Sequence, residues 1–153
     1  VDVNANQTPV GVSALDTTIT TLSANSKILV SASIFGEGNH DDHDYGLCWS
    51  RGISGSFTNI GLGDSSSNRT SVSSIVSVGY HGGDNDSTPS STALPPLLDT
   101  PNQAAGTAIT YRINYIITGG ATKYIRGNRS FGDSDSTGYE RGASWVTVME
   151  VKA

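Results

Sequence analysis

The densest cluster of side chains able to do chemistry is Asn39-His40-Asp41-Asp42-His43-Asp44, flanked by Gly36, Gly38 and Gly46. Imidazoles at His40 and His43 suit zinc or nickel, whereas the carboxylates of Asp41, Asp42 and Asp44 suit calcium. A divalent cation on His40, His43 and Asp44 is therefore one reading of the cluster. Consecutive residues of a turn send their side chains in diverging directions, and calcium loops alternate ligands with spacers, as this segment does not. A solvated turn is the second reading, and a loop that contacts a partner is the third. Beyond such a cation the sequence calls for no cofactor.

A second acidic patch, Asp84-Asn85-Asp86, follows Tyr80 and His81, and Asp133 and Asp135 form another Asp-x-Asp pair. Asp and Asn are favoured in turns because they hydrogen-bond their own backbone, so the turn reading leads for both. Catalysis would need a nucleophile marked by its base. The chain has no Gly-x-Ser-x-Gly elbow, no His-Glu-x-x-His and no glycine-rich phosphate loop ahead of a helix. Its carboxylates sit mostly in turn-like segments, and nothing marks two of them as an acid and base pair. The expectation is a protein that binds or assembles and is not an enzyme, with no catalytic residue assigned.

Binding has more support. Tyr45, Tyr80, Tyr124, Tyr139 and Trp49 lie at or near the ends of strand-like segments, where an aromatic face beside Asp, Asn and His side chains suits a sugar ring or a protein epitope. For Trp49 and Trp145, inside strand-like runs, the core or a subunit interface is the better expectation. Binding residues concentrate in loops carried by a rigid scaffold. The two longest irregular segments, 36–44 and 81–101, therefore supply the candidates His40, Asp41, Asp42, His43, His81, Asp84 and Asp86, with Tyr80 just before the second and Tyr139 from a third loop.

The elements that must position these residues are strands. Among 153 residues there are 18 glycines, about a quarter of the chain is Ser or Thr, and 15% is charged, which leaves little material for exposed helices. Alternation of period two is clearest in Ile28, Val30, Ala32 and Ile34 against Lys27, Leu29, Ser31 and Ser33, and again in Ile109, Tyr111, Ile113 and Tyr115. Further strands are expected at 45–50, 57–62, 72–80, 121–125 and 144–151, separated by Gly, Asn, Asp, Ser and Pro. Gly119-Gly120 reads as a tight hairpin joining 107–118 to 121–126. The Pro-rich stretch 81–106 reads as a long irregular but ordered excursion, its centre Ala93-Leu94 and Leu97-Leu98 apolar enough to pack down. Residues 1–15 read as an N-terminal arm or linker remnant, and 16–153 as one all-β, antiparallel, jelly-roll-like sandwich domain.

The net charge of −5, with nine scattered basic residues, argues against nucleic acid as a partner, because phosphate binding needs clustered Lys and Arg. No apolar run is long enough to cross a bilayer, so membrane insertion is not expected. The chain opens on Val1 and not on Met, as a processed product or an excised domain would. The single Cys48, inside an apolar run, reads as a small buried hydrophobe.

Ser26-Lys27-Ile28-Leu29-Val30, Gly61-Leu62-Gly63-Asp64, Asn68-Arg69-Thr70 and the closing run from Trp145 to Val151 together give a pattern that covers most of residues 16–153. The pattern resembles the C-terminal head domains of tail-fibre and related virion structural proteins of marine bacteriophages, cyanophages especially. The resemblance implies a jelly roll shaped like the tumour-necrosis-factor and C1q heads, three copies about an axis, and a location on the virion surface. Its partners would be its own copies, other virion proteins and a host-surface glycan or protein receptor. The last strand of such heads lies near the axis, which would place Trp145, Val148 and Met149 at the trimer interface. One His per chain at that axis would make a three-nitrogen metal site. A capsid decoration or cement protein is the competing structural reading, and a bacterial lectin or carbohydrate-active protein is a reading of another class.

Overall fold

A computed structural model describes residues 2–5, 8–38, 45–76, 89–117 and 123–152. Eleven strands and one 3-10 turn make up its regular structure: β1 (Asp2–Ala5), β2 (Val10–Gly11), the turn Ser13–Leu15, β3 (Thr17–Thr20), β4 (Lys27–Gly38), β5 (Tyr45–Ile53), β6 (Ser56–Ile60), β7 (Ser74–Val76), β8 (Ser90–Asp99), β9 (Ala108–Ile117), β10 (Lys123–Gly127) and β11 (Trp145–Val151). All pairings are antiparallel, and they form two sheets packed as a sandwich.

Sheet A is built on β4. One edge of β4 pairs with β8, and the opposite edge is shared end to end by β11, against 27–33, and β10, against 36–38. β1 adds to the far side of β10. Sheet B is built on β9 and β5, which pair along their full length. β2 and β3 share the other edge of β9, and β6 and β7 share the other edge of β5. With end-to-end partners merged, the order is β1, β10/β11, β4, β8 in one sheet and β2/β3, β9, β5, β6/β7 in the other. That is the order of an eight-stranded jelly roll, in which the chain repeatedly crosses between sheets.

The core comes from the alternation. Ile28, Val30, Ala32 and Ile34 of β4 face Tyr45, Leu47 and Trp49 of β5 and Ile109, Tyr111, Ile113, Tyr115 and Ile117 of β9, all buried in one cluster. Cys48 is buried on the opposite face of β5, under residues 71–73, and burial raises its thiol pKa. The β5–β6 hairpin turns at Ser54 and Gly55, both with positive φ (49° and 83°), the conformation a two-residue type I′ loop demands.

Three expectations change. Residues 90–99, expected as irregular, form β8. Prolines lack a ladder donor but are tolerated on an edge strand, and Pro95-Pro96 falls where the β4 register shifts between Val30 and Ala32. Gly119-Gly120 lie outside the described residues, but the strands expected to pair across them do not: β10 pairs with β4 and β1, while both edges of β9 are occupied by β5 and by β2 with β3. The N-terminal stretch carries β1 and β2, which pair within the two sheets, and Val12 is buried in the core.

One polar cluster ties the sheets together. Asp99, at the end of β8 and 8% exposed, accepts two hydrogen bonds from Arg51 Nη1 (2.8 and 3.0 Å) and one from the Tyr111 hydroxyl (2.7 Å). Burial and then the Asp99 carboxylate push the Tyr111 pKa well above its usual range, and burial does the same to Tyr115. Asp99→Ala strands the Arg51 charge and the Tyr111 hydroxyl. Because Arg51 keeps some solvent access, the expected loss is about 2–3 kcal/mol, measured by urea unfolding at neutral pH. Tyrosines of the unfolded chain ionise near pH 10 while folded Tyr111 and Tyr115 stay protonated. Stability is therefore full below pH 10 and should fall above it by about 1.4 kcal/mol per pH unit per tyrosine, read from the urea midpoint at successive alkaline pH values.

Candidate assembly surface

The outward face of sheet A is laid out in cross-strand rows. Met149 of β11 stands opposite Leu29 of β4, and Leu29 opposite Leu98 of β8. Trp145 stands opposite Ser33, and Ser33 opposite Ala93; between these rows Thr147 faces Ser31, level with Pro95-Pro96. Met149, Trp145 and Leu98 are 54%, 51% and 47% exposed. Within the strand segments that carry these rows the charged side chain on this face is Lys27 at its rim, opposite Val151 at the end of β11. A half-exposed Trp, Met and Leu on one face, with the strand-borne charge of these rows confined to Lys27 at the rim, match the composition of surfaces that bind other proteins.

Glu150, next in the chain, turns away from that face. Its carboxylate accepts hydrogen bonds from the Leu22 (2.9 Å) and Ser23 (3.2 Å) amides. The Ser26 hydroxyl and then the Leu22 amide hold its pKa below the usual carboxylate value. Its charge is spent on the turn before β4 and not on the sheet face.

Residues 128–144 leave the sandwich where β10 and β11 meet end to end along β4. Phe131 is the anchor of this loop: its N–H donates to Glu37 Oε2 (2.6 Å), its carbonyl accepts from Arg126 Nη1 (2.7 Å), and the Arg126 guanidinium lies 4.3 Å from its ring centroid. Farther out Asp133 joins Arg129 to Arg141, and Ser130 bonds the Glu140 carbonyl. Gly142 lies against the Phe35 ring, where a Cβ would come within 2.5 Å, so the loop's return folds onto the outward face of β4.

Of the sequence-predicted site residues, His40, Asp41, Asp42, His43, Asp44, Tyr80, His81, Asp84 and Asp86 lie outside the described residues. The strand ends that flank those segments are nonetheless placed. Gly38 of β4 and Tyr45, Val76, Tyr115 and Ile125 line one small hollow, so the ends of both sheets next to 39–44 and 77–88 meet at the same end of the sandwich. Among the described residues no three His, Cys, Asp or Glu side chains converge as cation ligands. Tyr139 is half-buried in the 128–144 loop, its N–H donating to Ser136.

The three interface candidates separate by face. Trp145 and Met149 point outward with Thr147, whereas Val148 points inward with Val146 and packs against the core. Trp145 is thus outside the core of the single chain. Leu29, Phe35 and Leu98 share the outward face but were not singled out from sequence, since only the strand register brings them beside β11. Val148→Ala should destabilise the fold by about 1 kcal/mol or more through lost packing, while Met149→Ala should leave protomer stability within about 0.5 kcal/mol, both by urea unfolding at dilute protein.

No protein-family model matches the chain, and no curated protein matches it significantly.

Proposed function

We propose that the chain is a head domain of a bacteriophage virion structural protein, of the tail-fibre type, that assembles as a homotrimer on the virion surface and binds a host-surface glycan or protein. The observation that carries this reading is the outward face of sheet A, where Trp145 and Met149 of the last strand share cross-strand rows with β4 and β8, Leu29 and Leu98 among them, and the strand-borne charge of these rows is Lys27 at the rim. Burying such a face against copies of itself removes apolar surface from water without stranding a charge. The resemblance of residues 16–153 to phage fibre heads supplies the number three and the setting. Receptor contact is assigned to the loops at the end of the sandwich where the strands flanking 39–44 and 77–88 meet, the arrangement by which sandwich domains present binding loops.

Light scattering at micromolar concentration should give about three times the 15.9 kDa chain mass. A single-chain mass would overturn the assembly reading. Trp145→Asp with Met149→Lys should shift the trimer toward monomer by at least about tenfold in association constant while the far-UV spectrum is kept, because charges placed on a buried interface must be desolvated. Adhesion of the purified domain to host cells supports receptor binding. Adhesion only to capsids that lack the domain would support the decoration-protein reading instead.

A further inference from the structure

The outward face of sheet B differs in kind from that of sheet A. One row crosses four strands: Thr18 of β3 opposite Thr110 of β9, Thr110 opposite Gly52 of β5, and Gly52 opposite Phe57 of β6. Gly52 leaves a notch in the middle of the row. A Cβ there would meet the Phe57 ring at 2.6 Å, so the ring leans over the glycine backbone. Ala108 and the Ser54–Gly55 turn add little bulk, and the result is an open hollow of about 380 Å³ bordered by Asp16, Thr18, Ser54, Phe57 and Thr110. It lies at the opposite end of β5 from Tyr45 and the loops assigned to receptor contact.

The polar groups of this hollow are held in place with bonding capacity to spare. Asp16 takes Arg112 Nε at 2.8 Å and Nη2 at 2.6 Å, one bond on each carboxylate oxygen, and each oxygen keeps a further lone pair. The guanidinium that neutralises the carboxylate lies 3.9 Å from the Phe57 centroid, which fixes both the acceptor and the ring. Thr18 and Thr110 hydroxyls bond each other at 2.8 Å; only one of them donates in that bond, so the other keeps its hydrogen for a ligand. Phe57 is 38% exposed. Fixed acceptors, a free hydroxyl donor and part of an aromatic ring, with no uncompensated charge, form a site for a neutral polyhydroxylated ring and not for an ion.

We propose that this hollow binds a neutral hexopyranose unit of a glycan, with Asp16, Thr18 and Thr110 taking its hydroxyls and the rim of the Phe57 ring left open by Arg112 and Gly52 meeting its C–H groups. The site lies on the sheet opposite the assembly surface, so it stands whether or not the chain forms trimers.

The test is titration of the isotope-labelled chain with glucose, galactose, mannose and N-acetylglucosamine, followed by amide resonances, up to about 50 mM, since a ligand this small reaches roughly millimolar affinity. At least one sugar should give saturable shifts at Thr18, Gly52, Ser54, Gly55 and Thr110. Thr110→Val and Thr18→Val, each keeping the side-chain shape, should weaken that sugar about fivefold or more, the equivalent of one neutral hydrogen bond, while the loss of their mutual bond moves the thermal midpoint by no more than about 4 °C. Absence of saturable shifts with all four sugars, shifts that map to another surface, or unchanged affinity in both variants would overturn the proposal.

Discussion

The structure depends on central strands that have no free edge, among them β5, which lies between β9 and β6 with β7. β4 is paired on one side by β8 and on the other by β10 and β11, and β9 on one side by β5 and on the other by β2 and β3. Each also buries one face in the shared core. The partners of β4 and β9 come from far along the chain, and the crossings between sheets follow from those pairings. The ends of β4, β5, β7, β9 and β10 meet at one end of the sandwich for the same reason.

Between the sheets the packing is almost wholly apolar, and the exception is informative. Asp99 reaches from sheet A to Arg51 and Tyr111, which are register partners in sheet B. A carboxylate this buried is tolerated because a guanidinium and a phenol satisfy it together. Its worth lies as much in specifying how the two sheets align as in net stability, since a slipped sheet would leave three polar groups without partners.

The two outward faces then divide the chemistry. Sheet A presents Trp145, Met149, Leu29 and Leu98 with small uncharged neighbours, and its nearby acidic side chain, Glu150, is turned into a backbone turn. Sheet B presents hydroxyl and ion-pair contacts, Thr18 with Thr110 and Asp16 with Arg112. A surface meant to be covered and a surface meant to stay wet would differ in this way.

The period-two runs at 27–34 and 109–115 were legible from sequence because alternation is a local property: each residue's neighbours two places away share its face whatever the fold. The same logic shows Trp145 and Met149 on one side of β11 and Val148 on the other. Which side faces the core was not local, and neither was β8, whose two prolines read as a loop until an edge position and a register shift accommodated them. The expected pairing of β9 with β10 was lost because a turn signal can propose a pairing but cannot reserve an edge. The hollow beside Gly52 had no sequence signature, since Asp16, Thr18, Gly52, Phe57 and Thr110 become neighbours only through register. The amino-acid order by itself determined that the chain is an all-β sandwich with loops of Gly, Asn, Asp and Ser. Tertiary structure alone decided which strands are neighbours, because pairing is settled by competition for edges across the whole chain, and with it which side chains meet on each face.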